Sequence, residues 1–116
     1  MRGEFNQRTE YTNGQMTISK WIAELGFPHD LEVEFHPYRV DIYIKEAHVA
    51  IEFDGPRHYK KKDQKRDLVL WEKYRLAVHR IKILYPKRDI VNGIIFFIAE
   101  NIETSSQREN FGGLYC

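Results

Sequence analysis

Two short runs constrain this chain most: Arg39-Val40-Asp41-Ile42-Tyr43-Ile44 and Val49-Ala50-Ile51-Glu52-Phe53-Asp54. Both are rich in β-branched and aromatic residues, the composition of a half-buried pleated surface, yet both carry carboxylates where a packed strand should carry none. A carboxylate beside a sheet core is costly unless it is paired or holds a metal. Period-two alternation sends Glu52 and Asp54 to one side of their strand and Ile51 and Phe53 to the other. With Asp41 on the neighbouring strand, its carboxylate can converge with Glu52. Asp41, Glu52 and Asp54 are therefore candidate metal ligands. Two or three carboxylate oxygens, with the other positions left to water and phosphate, suit Mg²⁺, with Mn²⁺ as its substitute. Asp54-Gly55 is also an ordinary hairpin turn dipeptide, so Asp54 taken alone would more often be structural than catalytic. Beyond the Gly55-Pro56 turn, His58 can reach back as a general base or hydrogen-bond a scissile phosphate; taken alone it would more often be a plain surface histidine.

The rest of the chain supplies a frame for these strands. Residues 1–14 are polar and expected to be loosely ordered. Ile18, Trp21, Ile22 and Leu25 recur at helical spacing over 15–25, and Gly26 reads as the C-terminal cap. Leu31 to Phe35 alternates as an edge or half-buried strand. A helix is expected over 62–74 with Leu68, Leu70 and Trp71 inward, and a strand over 77–85, closed by Pro86. A last helix starts beside Asp89, with Ile90, Ile94, Ile95, Phe97, Ile98 and Ile102 as its apolar set. Residues 104–116 are expected to fray. The order is α-β-β-β-α-β-α: an α/β fold with one mixed four-stranded sheet flanked by helices, in a single domain over 15–103.

Net charge is +1, but the two halves differ. Residues 1–56 hold five Lys/Arg against ten Asp/Glu, and residues 57–116 hold thirteen against seven. The junction falls at the acidic cluster. From Arg57 to Arg66 the chain carries six basic residues (Arg57, Lys60, Lys61, Lys62, Lys65, Arg66) and one Asp. Lysine at a helix start opposes the helix dipole, which points to phosphate contact; the plain alternative is a solvated helix start. Metal beside positive charge suits cleavage of a phosphodiester backbone. Asp63 and Asp67 share a helix face, where they either reach the metal's outer shell or pair with Lys62 or Arg66. No apolar run is long enough to cross a bilayer and the start does not read as a signal peptide. The single cysteine, Cys116, excludes an internal disulfide, and a reducing cytoplasm is the expected location.

Asp41, ten intervening residues, then Glu52-x-Asp54 resembles the metal site of the PD-(D/E)XK nuclease superfamily. Ile51-Glu52-Phe53-Asp54-Gly55-x-x-His58, then Asp63-x-x-Arg66-Asp67 and Val78-His79-Arg80-Ile81, is similar to the branch around very-short-patch repair endonucleases, with its restriction-like and phage homing relatives. The resemblance implies a restriction-endonuclease-like core and a divalent-metal-dependent DNA endonuclease or nickase, with Asp41 and Glu52 as ligands. Asp54 stands where the superfamily has lysine, which the branch offsets with a nearby histidine, here His58. A first-helix Glu or Gln facing the metal is implied at Gln15, with Glu24 a weaker match. The segment from Ile51 to Tyr59 is also similar to RAP domains, which implies a non-catalytic RNA-binding module as the alternative. No target-reading module is evident, so the nuclease is expected either to be structure-selective or to read its target through a separate domain, a partner chain or a homodimer.

Overall fold

The computed structural model describes residues 2–54, 60–82 and 87–111, and the side chains of 13–54, 61–82 and 87–102. Helix α1 spans Arg2–Glu24, strands β1, β2 and β3 span Asp30–Phe35, Tyr38–Ile44 and Val49–Phe53, helix α2 spans Lys60–Tyr74, strand β4 spans Ala77–Ile81, and helix α3 spans Ile90–Phe111. The α/β architecture is the expected one: a four-stranded sheet in the order β1-β2-β3-β4, antiparallel up to β3, with β4 parallel to β3 across the α2 crossover.

Two apolar clusters hold the sheet between helices. On one face Ile18 and Ile22 of α1 and Ile94 and Ile98 of α3 pack on Ile42, Ile44, Val49, Ile51, Phe53 and Ile81. On the other, Leu70 and Tyr74 of α2 pack with Phe35, Val40, Ala50 and Leu76. Burying side chains of this size stabilises by roughly 1.5–3 kcal/mol each before chain entropy is counted. Gly14 lets α1 lie directly on β3: a Cβ there would stand 2.4 Å from the Phe53 ring. Gly26 ends the helix at φ +88°. Its N–H bonds Ala23 O and that of Phe27 bonds Ile22 O, the paired bonds of a glycine-terminated helix.

Several expectations need correcting. The first helix begins at Arg2 rather than near Gln15, and the last runs to Phe111 rather than ending near Ile102. Neither extension contains proline and neither shows an apolar period, so helix there is not found from the spacing of apolar residues. On α2, Leu70 is fully buried as expected, but Leu68 and Trp71 are exposed. The inward stripe of α2 is Asp63, Arg66, Asp67, Leu70 and Tyr74, three of the five charged, which a search for apolar spacing cannot find. The expected strand ends at Ile81; its proposed continuation through Ile83 to Tyr85 lies outside the described residues. Among the described residues no helix is long and apolar enough to cross a membrane.

His48, in the β2–β3 turn, is fully buried. Its Nε2 lies 2.9 Å from Tyr74 O and its Nδ1 2.8 Å from Tyr43 Oη. A carbonyl only accepts, so Nε2 carries a proton and donates to Tyr74 O. The two bonds tie the end of α2 to the hairpin.

Candidate active site

The β2–β3 ladder pairs Ile44 with Val49, Tyr43 with Ala50 and Ile42 with Ile51. One step further, where Asp41 faces Glu52, side chains replace the rungs. Asp41 N–H donates to Glu52 Oε2 at 2.8 Å, and Phe53 N–H donates to Asp41 Oδ2 at 2.9 Å. Two carboxylates thus cap the backbone donors at this end of the strand pair. Glu52 is 1% exposed. Burial, and then the charge of Asp41, pushes its carboxyl up to about 8, although Arg66 opposes the shift. Burial also raises Asp41, with Glu32 and Asp54 acting in the same direction and the Phe53 N–H against them. Two adjacent acids of this kind cannot both ionise cheaply without a compensating cation or a shared proton.

Alternation works as the sequence suggests. Ala50, Glu52 and Asp54 face α2, and Ile51 and Phe53 face α1 and α3. Asp41 and Glu52 are brought together. Asp54 is turned to Arg80, whose Nη1 lies 2.7 Å from Asp54 Oδ2. Arg80 also grips Asp67 through Nε at 3.0 Å and Nη2 at 2.5 Å, and its Nη1 lies 3.5 Å from Asp63. Burial works against the charge of Arg80, but its bonds to Asp67 and Asp54 prevail and hold it protonated well above the usual arginine range. For Asp63, burial would raise the pKa, but the Lys82 bond at 3.0 Å and the charges of Arg80 and Lys82 leave it below the usual value. Asp63 and Asp67 therefore both pair with Arg80, and Asp63 also with Lys82.

The basic residues divide. Lys61, Lys62 and Lys65 are on exposed positions of α2. Arg66 turns inward and forms an ion pair with Glu52. Lys60 begins α2, but its side chain lies outside the described residues, as do Arg57 and His58 altogether. Gln15 does not reach the acid pair directly; its Nε2 lies 3.5 Å from Glu32 Oε1. Glu24 is far from this end of the sheet in its contacts, pairing with Arg88 at 2.9 Å.

Two contributors escaped the sequence reading. Glu32, at φ 53°, stands opposite Asp41 between the rungs Leu31–Ile42 and Val33–Val40. Only that register distinguishes it from Glu34. Arg80 stands opposite Glu52 in the parallel β3–β4 register. A signal for it was present: an arginine inside Ala77-Val78-His79-Arg80-Ile81 calls for a buried acid as strongly as Glu52 calls for a cation.

The donor set suits a hard divalent cation. Among the described residues no three His, Cys, Asp or Glu side chains are grouped to hold an ion. Magnesium needs no such cage, since one or two carboxylates plus waters and substrate phosphate suffice. The buried Glu52 Oε1 has no hydrogen-bond partner and meets the Arg66 guanidinium only as an ion pair.

No family model matches the chain, and no curated protein matches it. Among solved structures, the chain is similar to the homing endonuclease I-Bth0305I catalytic domain. The two are 15% identical, the match covers 79% of this chain and 91% of that one, and the TM-score is 0.45.

Proposed function

We propose that this protein is a divalent-metal-dependent endonuclease or nickase that hydrolyses the phosphodiester backbone of DNA on the PD-(D/E)XK plan. The observation that supports this reading is the buried Asp41–Glu52 pair, with Glu52 pushed up to about 8 beside a second acid. Bound Mg²⁺ or Mn²⁺ would lower the pKa of a coordinated water and neutralise charge developing on the phosphate. Asp41 and Glu52 are its ligands in this reading. Asp54 sets the position of Arg80 next to them. Lys61, Lys62 and Lys65 hold flanking backbone phosphates, joined by Arg57 and Lys60. His58 is assigned to proton transfer, and Gln15 to orienting Glu32 or a water. Target choice is assigned to a separate domain, a partner chain or a second copy.

A second reading has one observation in its favour. Arg66 and Arg80 already pair with Glu52 and Asp54, as in an ion-pair network that only stabilises a nucleic-acid-binding module of the RAP kind. The discriminating experiment incubates the protein with supercoiled plasmid, single-stranded DNA and RNA, in EDTA, Mg²⁺ or Mn²⁺. Cleavage of DNA that requires metal, and that falls by about a hundredfold or more in Glu52→Gln, is the expected result. Nucleic-acid binding without cleavage under any condition would favour the binding module. Full activity in Glu52→Gln would remove the proposed site.

A further inference from the structure

Among the described residues, two buried side-chain polar atoms lack a hydrogen-bond partner, Glu52 Oε1 and Arg66 Nε, and both belong to the same ion pair. Arg66 Nη2 lies against Glu52 Oε1 and also donates to Arg39 O at 2.5 Å, while the guanidinium carbon sits 5.4 Å from the Tyr38 ring centroid. An arginine suited to a carboxylate offers two parallel N–H bonds. Arg80 does this to Asp67 through Nε and Nη2. Arg66 brings one nitrogen to Glu52 and leaves Nε without an acceptor. The charges attract, but the fork is not engaged.

Charge counting points the same way. Asp41 and Glu52 carry two negative charges when ionised, and Arg66 supplies one positive charge. A divalent cation would balance both acids and leave Arg66 in surplus. The Arg66 side chain is 24% exposed against 2% for Glu52, so the arginine has an outward path that the glutamate lacks.

We propose that Arg66 is an exchangeable counterion: it occupies Glu52 Oε1 until the divalent cation arrives, and the two compete for that oxygen. This rests on the metal-dependent reading above. Arg66 is then a positioning residue for Glu52, keeping the buried acid in place before the metal binds. The displaced guanidinium presents Nε and Nη2 to a phosphate oxygen, for which its fork is suited.

The test is a calorimetric titration of Mn²⁺ alone into the parent protein, Arg66→Met and Arg66→Lys, each first checked for a cooperative melt. Arg66→Met should bind Mn²⁺ more tightly by roughly fivefold or more, the scale of one partly buried ion pair, with Arg66→Lys in between. At the same time DNA cleavage by Arg66→Met should fall. A purely structural arginine would weaken both together. Equal or weaker Mn²⁺ binding by folded Arg66→Met overturns the proposal while leaving the metal site intact. Absence of Mn²⁺ binding in parent and variants alike removes the metal-dependent reading and the proposal with it. A second measurement needs no variant: Mg²⁺ titration of the parent should shift the Arg66 Nε–H NMR signal in step with site occupancy, and an unmoved signal at saturation overturns the proposal.

Discussion

The carboxylates at this end of the sheet differ in the cation within reach of each. Asp54 and Asp67 meet the guanidinium of Arg80 with good geometry, while Asp41 and Glu52 are left with each other and the half-engaged Arg66. Arg80, with a side chain 9% exposed, is therefore the residue whose loss should cost most. Arg80→Ala strands Asp54 and Asp67 without a counter-charge in a partly dry setting, and should destabilise by about 3 kcal/mol or more. Urea denaturation measures this directly, and a loss below about 1 kcal/mol would class the network with exposed surface pairs. At this scale the acids were legible and their partners were not. Asp41 and Glu52 announce themselves because Val40, Ile42, Ile51 and Phe53 surround them in sequence. Whether Asp54 faces a metal or an arginine depends on Arg80, which reaches it only through the parallel pairing of β3 with β4.

Among the elements, the strands were the most legible and α2 the least. Period-two alternation survives in β3 because one face carries Ile51 and Phe53 and the other carries acids. Helix α2 docks through Asp63, Arg66 and Asp67 as well as Leu70 and Tyr74, so its buried face carries no apolar period. The contact between β4 and α3 offers a titration test. His79 is partly buried against the Phe97 ring, centroids 5.1 Å apart, and burial lowers its pKa below the usual 6.5. Between the lowered value and 6.5, the unfolded chain binds a proton that the folded chain refuses. Stability is therefore full above 6.5 and falls as pH drops through the folded pKa. Thermal melts from about pH 7.5 down to about pH 5.5 should show the parent losing stability faster than His79→Gln. Parallel curves would mean that His79 has the same affinity for protons folded and unfolded.

At the scale of the whole molecule, the charge division acquires a geometric meaning. The acidic half ends at Asp54, and the basic helix that follows crosses over the sheet face carrying Glu52 and Asp54. Positive charge is thereby laid beside the acids, which composition alone does not reveal. Asp63, Arg66 and Asp67 are engaged in that docking, and the proposed phosphate contacts fall to the outward-facing Lys61 and Lys65. A protein neutralising phosphates releases condensed counterions, and its log affinity falls linearly with log salt by about 0.9 per contact on B-DNA. Lys61 and Lys65 are both exposed on α2. Converting both to glutamine should flatten that slope by roughly 1.8, weaken binding to unrelated duplexes equally, and leave the melting temperature unchanged. Fluorescence anisotropy across a salt series, in EDTA so that cleavage does not intervene, gives the slope. An unaltered slope would move the contact surface away from α2. A loss confined to one sequence would make the lysines readers of bases instead.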